Sequence, residues 1–333
     1  MKAAQLDRYA RGGRLVVREG PDPEPAADEV LIEVRAAAVN PLELLIASGS
    51  IRLIQDYRLP QTLGNECSGV VVKVGSQVRD FCPGDAVYTR LPLGRIGAFA
   101  EYVTVDEAAV AKMPAGYAFD VAVAIPLTAL TAWQGLIDVL EAQAGQTLLI
   151  TGGSGSFGQM AVPIARELGL RVMVTGNARA REEFLAMGAE RYIDYRQENY
   201  WESVSGVDIV IDTLGAGEFE HEISVLKRGG RLLSLRTSPN GEFARRNGFP
   251  WYKRALFTLA GMKYDLSARR QDKEYRFVFV HADGAQLRRI TEIVERNHIV
   301  PAVDPHTFSL EEINDAMRLV AEGPINGKVI VRM

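Results

Sequence analysis

Apolar positions change rhythm along this chain. Up to about residue 110 they alternate with polar ones, in Asp28–Val39, Cys67–Val78, Gly84–Arg90 and Ala98–Val105. Period-two alternation buries one face of a strand. Gly20-Pro21, Pro83-Gly84 and Leu91-Pro92 punctuate these runs as turns. Short strands at this spacing predict a small barrel or rolled sheet, with one helical turn over Pro41–Ser48. Near residue 116 the pattern turns helical, through "DVAVAIPLTALTAWQGLIDVL". Strand and helix patterns then alternate. The predicted strands are Thr147–Thr151, Arg171–Thr175, Arg191–Ile193, Asp208–Asp212 and Arg231–Leu235; the predicted helices are Phe157–Leu168, Arg181–Met187 and Glu218–Leu226. Such alternation predicts a parallel sheet with right-handed crossovers. Pro163, inside the first of these helices, removes a backbone hydrogen bond and predicts a bend.

Arg236 to about Arg276 interrupts the alternation with a basic and aromatic stretch. We read it as an amphipathic helix with solvated arginines rather than a nucleic-acid surface. A strand over Tyr275–Val280, helices over 284–297 and 310–323 and a last strand in "NGKVIVRM" follow. No internal repeat or low-complexity segment is present.

Composition narrows the class. At 333 residues the chain is longer than one core readily supports, so two domains are expected. Hydrophobic residues make up 47% and charged ones 24%, which is the balance of a folded globular protein. A net charge of −4 gives no pull towards nucleic acid or an anionic membrane. Two cysteines, Cys67 and Cys82, are too few for a disulfide framework; both are read as buried small hydrophobes in a reducing compartment. The N-terminus carries no apolar segment of a secretory signal. The longest uncharged run, Val121–Ile137, is short for a span and contains Pro126, Thr128, Thr131 and Gln134, so it is read as a buried helix. These readings lead us to expect a cytoplasmic protein.

Candidate chemistry concentrates in "LLITGGSGSFGQMAVPIARELG". Gly153-Ser154-Gly155-Ser156-Phe157-Gly158, preceded by Gly152, is a G-x-G-x-x-G. Alone the pattern is weak. Between a predicted strand and a helix, with a second strand beyond, it is the turn that brings backbone N–H groups to a dinucleotide pyrophosphate. An acid at the end of the second strand would favour NAD by bonding the ribose 2′-hydroxyl. Here "VTGNARAREEF" has none at Thr175, Gly176 or Asn177, and Arg179 and Arg181 follow. Arginines attract a 2′-phosphate, so NADPH is the expected cofactor. Tyr195, after the third strand, is a further candidate for that phosphate.

The order of parts resembles the medium-chain dehydrogenase/reductase superfamily. The matching stretches run in order over nearly the whole chain: "AAAVNPLELLIASG", "LPQTLGNECSGVVVKVGSQVRDFCPGDAVY", "GAFAEYVTV", "IPLTALTAWQGL", the glycine loop, "VDIVIDTLG", "LKRGGRLLSL" and "NGKVIVRM". The resemblance implies an α/β protein with a GroES-like β-rich catalytic domain (residues 1–115 and 275–333) and a doubly wound Rossmann domain (116–274). Zinc members have Cys where this chain has Asn40 and His where it has Asn65. Neither asparagine is a credible zinc ligand. The loop near 90–100 has no cysteine, and the four histidines all lie from His221 onwards. The expectation is therefore no metal, in the quinone oxidoreductase and alkenal/enone reductase branch.

That resemblance supplies further candidates. Asn40 matches an active-site asparagine near the nicotinamide, able to donate a hydrogen bond to a substrate carbonyl. Glu43 stands where the family often has Asp. Thr131 matches a threonine contacting the nicotinamide. Leu214, Gly215 and Leu235 lie at the carboxyl ends of later strands, where ligands bind in such sheets. Phe279 and Val280 match a segment pairing with the carboxamide. Tyr57 and Tyr88 are candidate cleft donors, and Lys328 a candidate for the cofactor phosphate. The implied activity is NADPH-dependent reduction of the C=C of small α,β-unsaturated carbonyls. Quinone reduction is the alternative, and a non-enzymatic NADPH-binding protein a third reading. A homodimer, paired through the strand near Arg276–Val280, is also implied.

Overall fold

The computed structural model describes residues 1–323 and 325–333. The chain forms two compact units: unit 1 is Met1–Leu130 with His281–Met333, and unit 2 is Thr131–Val280. The breaks thus fall later than the 115/116 and 274/275 boundaries read from the sequence. Ser68 Oγ donates to the Phe119 carbonyl, and Glu66 accepts from the Leu127 N–H, which ties residues 119–127 to the sheet of unit 1.

Unit 1 contains β1 (Lys2–Leu6), β2 (Leu15–Glu19), β3 (Glu29–Val39), β4 (Gln61–Thr62), β5 (Glu66–Val74), β6 (Ala86–Arg90), β7 (Tyr102–Asp106) and β8 (Val110–Lys112). Unit 2 contains β9 (Thr147–Thr151), β10 (Arg171–Gly176), β11 (Arg191–Asp194), β12 (Val207–Asp212), β13 (Leu226–Ser234) and β14 (Glu274–Phe277). The chain then returns to unit 1 with β15 (Val303–Ser309) and β16 (Lys328–Arg332).

The main sheet of unit 1 has the order β15-β16-β3-β5-β6-β8. The long strand β3 organises it. Its first half, Glu29–Glu33, pairs with β7, and its second half, Ala36–Val39, with β16. Serving two neighbours along one edge rolls the sheet. Alternation predicted one solvated face, yet β3 is buried on both: Ala36 and Ala38 pack with Val123 and Ile330. The small Ala36-Ala37-Ala38 run permits that close approach.

Unit 2 is a parallel sheet in the order β11-β10-β9-β12-β13-β14. The order reverses beside β9, so the carboxyl ends of β9 and β12 flank the switch point where ligands bind in such sheets. Val207, Ile209, Val210 and Ile211 are all buried, as strands covered on both faces require. Helix Ser156–Glu167 follows β9 directly, with Pro163 buried inside it.

Three elements differ from the sequence reading. Cys67 is buried, but Cys82 is exposed, because Pro83-Gly84 turns the chain at the surface. β14 stops at Phe277, leaving Phe279 and Val280 outside the sheet. The basic segment folds into helix Trp251–Arg270, whose inward face is Phe257, Gly261, Tyr264 and Ala268. Its outward face is not simply solvated arginine, since Trp251, Leu259, Met262 and Leu266 are exposed there. Among the described residues one stretch, Phe119–Val139, is long and apolar enough to cross a membrane; 72% of its most apolar window is buried in the protein.

Candidate functional site

Two polar clusters carry chemistry, one in each unit. In unit 2 the strand β9 ends at Thr151 and the glycine loop begins. Gly152 has φ +63°, a conformation that glycine adopts without penalty. A Cβ on Gly158 would lie 1.7 Å from the Gly153 carbonyl oxygen, so only glycine lets the helix start this close to the loop. A Cβ on Gly155 would meet nothing within 4 Å. Gly155 is also the N-cap of the twelve-residue helix Ser156–Glu167, and no side chain caps that end. An uncapped helix N-terminus with an open glycine backbone is the cradle an anionic pyrophosphate needs. Thr175 Oγ1 accepts the Gly152 N–H at 2.9 Å, and Thr213 Oγ1 donates to the Thr151 and Gly152 carbonyls. The Leu214 side chain lies over Gly152. The residues present therefore fit a dinucleotide.

The second strand ends in a polar group. Asn177 caps the next turn, its Oδ1 accepting the Arg179 N–H, and its Nδ2 lies 3.4 Å from Ser154 Oγ. The Tyr192 hydroxyl donates to the Asn177 carbonyl at 2.6 Å. Arg179 is exposed, whereas Arg181 donates to the Tyr192 carbonyl at 3.0 Å. Tyr195 is exposed, and the Arg196 guanidinium stands over its ring at 5.7 Å. Sequence reasoning passed over Arg196, although its neighbour was named. Behind the loop, Glu222 accepts from Thr151 Oγ1 at 2.5 Å; burial first, and then Asp212, pushes its carboxyl up to about 9. Asp212 accepts from Leu214, Gly215, Ser234 and Thr237, which fixes the carboxyl ends of β12 and β13. Leu235, one residue past β13, donates its N–H to the Asp212 carbonyl. Thr131 is half-buried on helix Pro126–Gln134.

In unit 1, Asn40 follows β3 directly and is the N-cap residue of helix Pro41–Ala47. Its N–H donates to Glu43 Oε2 at 2.7 Å, the acidic half of a capping box. Glu43 Oε1 accepts from both the N–H and Nδ2 of Asn65, at 3.0 and 2.7 Å. Burial pushes the Glu43 carboxyl up to about 7 against these bonds. The Asn40 side chain is committed elsewhere. Its Nδ2 donates to Glu66 Oε1 at 2.9 Å and to the Ala38 carbonyl at 3.3 Å, and its Oδ1 accepts from Lys328 Nζ at 2.5 Å. Lys328 also pairs with Glu66 Oε1 at 2.8 Å. The expectation that Lys328 serves the cofactor phosphate thus gives way to a buried ion pair inside unit 1. Arg90, opposite Glu66 in the sheet register, is fully buried, and burial lowers its guanidinium to about 10. Asn65 Oδ1 and Arg90 Nε and Nη2 are buried without a protein partner. Tyr57 donates to the Leu93 carbonyl and Tyr88 pairs with Thr291; burial raises both phenols.

This donor set does not fit zinc. Glu66 is held by the Asn40 amide, the Leu127 N–H and the Lys328 ammonium, and Glu43 by N–H donors of Asn40 and Asn65; among the described residues no group of three or more His, Cys, Asp or Glu could hold a metal ion.

The rolled sheet, the doubly wound sheet and the dinucleotide cradle define a class. The chain belongs to the medium-chain dehydrogenase/reductase superfamily, in its quinone oxidoreductase branch. It is an oxidoreductase that works with a nicotinamide cofactor. Residues 26–115 match the alcohol dehydrogenase GroES-like domain, and residues 187–331 the zinc-binding dehydrogenase family. The chain is 30% identical over 320 residues to the 2-methylene-furan-3-one reductase of Solanum lycopersicum, covering 93% of this chain and 73% of that protein. It is 29% identical over 320 residues to the NADPH-dependent alkenal/one oxidoreductase, chloroplastic, of Arabidopsis thaliana, with the same coverage. Among solved structures it resembles the quinone oxidoreductase from Coxiella burnetii, with TM-score 0.82, 26% identity, and coverage of 100% of this chain and 99% of that one.

Proposed function

We propose that the protein is an NADPH-dependent, zinc-independent reductase of small α,β-unsaturated carbonyls. The observation that carries this reading is the open dinucleotide cradle at Gly152–Gly158 in unit 2, where the glycine loop runs into an uncapped helix N-terminus. The names of the tomato and Arabidopsis relatives support the substrate class. Bound at the glycine loop, the nicotinamide supplies a hydride. This chain's residues do the rest. The loop and the helix N-terminus hold the pyrophosphate. Asn177, Arg179, Tyr195 and Arg196 offer donors and positive charge to a 2′-phosphate, with no acid at the strand end to repel it. Delivery to the β-carbon leaves negative charge on the carbonyl oxygen, and a proton then reaches the α-carbon. Asn40 and Tyr57 in unit 1 are our candidates for that polar chemistry, and Thr131, Phe279 and Val280 for nicotinamide contacts. The β14 edge is our candidate for pairing two copies into a homodimer, since β14 is the last strand of its sheet.

Quinone reduction is the second reading, favoured by the likeness to the Coxiella enzyme. The test is NADPH oxidation by the purified protein with enones, enals and quinones, each against a no-substrate blank. A saturated ketone as product supports the first reading, and turnover of quinones alone the second. Tight NADPH binding without turnover would leave a cofactor-binding protein.

A further inference from the structure

We propose that Glu222 is a positioning residue of the dinucleotide site: as a neutral acid it ties the strand that enters the glycine loop to the carboxyl end of β12, and loss of its proton at alkaline pH loosens the hold on NADPH. The inference rests on the cofactor reading above and deepens it, because it puts the cradle under the control of a group behind it. Glu222 lies on helix Phe219–Val225. Glu222 and Asp212 are 0% and 1% exposed. Glu222 Oε1 meets Thr151 Oγ1 at 2.5 Å, and the Asp212 carboxyl also lies within hydrogen-bonding reach. Glu222 Oε2 is buried without a donor.

Two carboxyls this close in a dry interior cannot both carry charge. Hydrogen bonds decide which one does. Asp212 accepts from the N–H groups of Leu214 and Gly215 and from the hydroxyls of Ser234 and Thr237. Glu222 has the Thr151 hydroxyl. The charged groups that act on Glu222 are Asp212 and Glu218, both acidic. The charge therefore falls to Asp212 and the proton to Glu222. Burial first, and then Asp212, holds that proton until about pH 9.

Both partners reach the cradle. Thr151 is the last residue of β9, directly before Gly152. Thr213 Oγ1 donates to the Thr151 and Gly152 carbonyls. Leu214, whose N–H is held by Asp212, lies over Gly152. A second negative charge at Glu222 would repel Asp212 and oppose an anionic pyrophosphate. Binding then has to restore the proton, so affinity is full below the Glu222 value and falls as pH rises through it. The surrounding groups leave that range to Glu222. Glu218, at the N-cap of the same helix, accepts from the Tyr200 hydroxyl at 3.2 Å and lies 3.4 Å from His221 Nδ1. Burial, and then Glu222 itself, raises the Tyr200 phenol, and burial raises Tyr275. Lys273 donates to the Ile223 carbonyl at 2.5 Å; burial lowers its ammonium, but it is common to wild type and variants.

The test is the NADPH dissociation constant at pH 8 and pH 10, titrated by fluorescence. Between those values it should rise about tenfold more in wild type than in E222Q, whose amide accepts from Thr151, donates to Asp212 and does not titrate. E222L keeps neither tie and should already bind weakly at pH 8, where E222Q rescues. An equal rise in wild type and E222Q overturns the inference. Carboxyl carbon-13 NMR of glutamate-labelled wild type needs no variant. One glutamate should still resonate as a protonated acid at pH 8, and NADPH should move its titration to higher pH. No such resonance, or a titration indifferent to bound NADPH, overturns the inference. A wild type that binds no NADPH at either pH overturns the cofactor reading and this inference with it, an outcome distinct from a dissociation constant that rises in parallel.

Discussion

Glu43 should make the folded state lose stability as pH rises through the neutral range. Its carboxyl lies in the interior of unit 1, and burial pushes it up to about 7 from an ordinary 4.5. Between those values the folded chain holds a proton that the unfolded chain has released. Stability is then greatest at acid pH and falls until the folded group has also ionised. With these two values the contribution is about 2.5 kcal/mol at pH 5 and almost nothing at pH 8. The opposing force is visible: three N–H donors, from Asn40 and Asn65, converge on the carboxylate and favour its charge. Dry burial outweighs them. Glu43→Gln removes the titration but leaves an amide NH2 facing an N–H donor, an unsatisfied contact costing about 1–3 kcal/mol. Urea titrations of both proteins from pH 5 to 8 are the assay. Subtracting the variant cancels other carboxylates, including Glu222, so the difference should shrink by about 2.5 kcal/mol across that range. A difference that stays constant with pH would refute the reasoning, because Glu43 would then be ionised throughout.

Three further outcomes are expected. Gly158→Ala places a methyl group 1.7 Å from the Gly153 carbonyl and should lower the melting temperature as well as weaken NADPH binding more than about 100-fold, read by fluorescence titration. Gly155→Ala meets nothing within 4 Å, so it should leave the melting temperature alone and weaken NADPH about tenfold, and equal melting losses in the two variants would contradict the cradle. Arg196→Ala should cost roughly tenfold in NADPH affinity, about one charge-assisted hydrogen bond, and leave NADH unchanged in the same titration. In the native protein a thiol reagent should label Cys82 quickly and leave Cys67, which is buried and whose thiol is raised by burial, so a two-equivalent burst would be inconsistent with the fold.

Much of the fold was legible because it rests on short-range patterns. The strand–glycine–helix order around Gly153 is written in consecutive residues, and β9 to β13 follow from apolar runs bounded by turns. Where the structure departs, the cause is long-range. β3 alternates in sequence but is covered on both faces, because Phe119 and Val123, far along the chain, pack against Ala36 and Ala38. Tyr275–Val280 reads as one strand, yet only the part beside β13 gains a hydrogen-bonded neighbour. The dinucleotide cradle was legible for the same reason as the fold. Arg196 was not, because a lone arginine next to a tyrosine has no spacing rule.

The unit 1 cluster shows the limit most sharply. Asn40, Glu43 and Asn65 each carry a local signal: Asn40-Pro41-Leu42-Glu43 is a capping box with proline at its first helical position. Local signals identify the residues and leave their polarity open. Asn40 looks like a donor to a carbonyl until Glu66 takes its NH2 and Lys328, 288 positions away, its oxygen. An amide is ambivalent, and the nearest obligate donor or acceptor decides which way it turns. Here both deciding groups are charged and buried, so the decision is made by partners that no window of sequence brings together. The same logic separates this cluster from a metal site. Asparagine at 40 and 65 removes the ligands, and the Lys328 ammonium supplies Glu66 with the positive charge that a buried carboxylate requires.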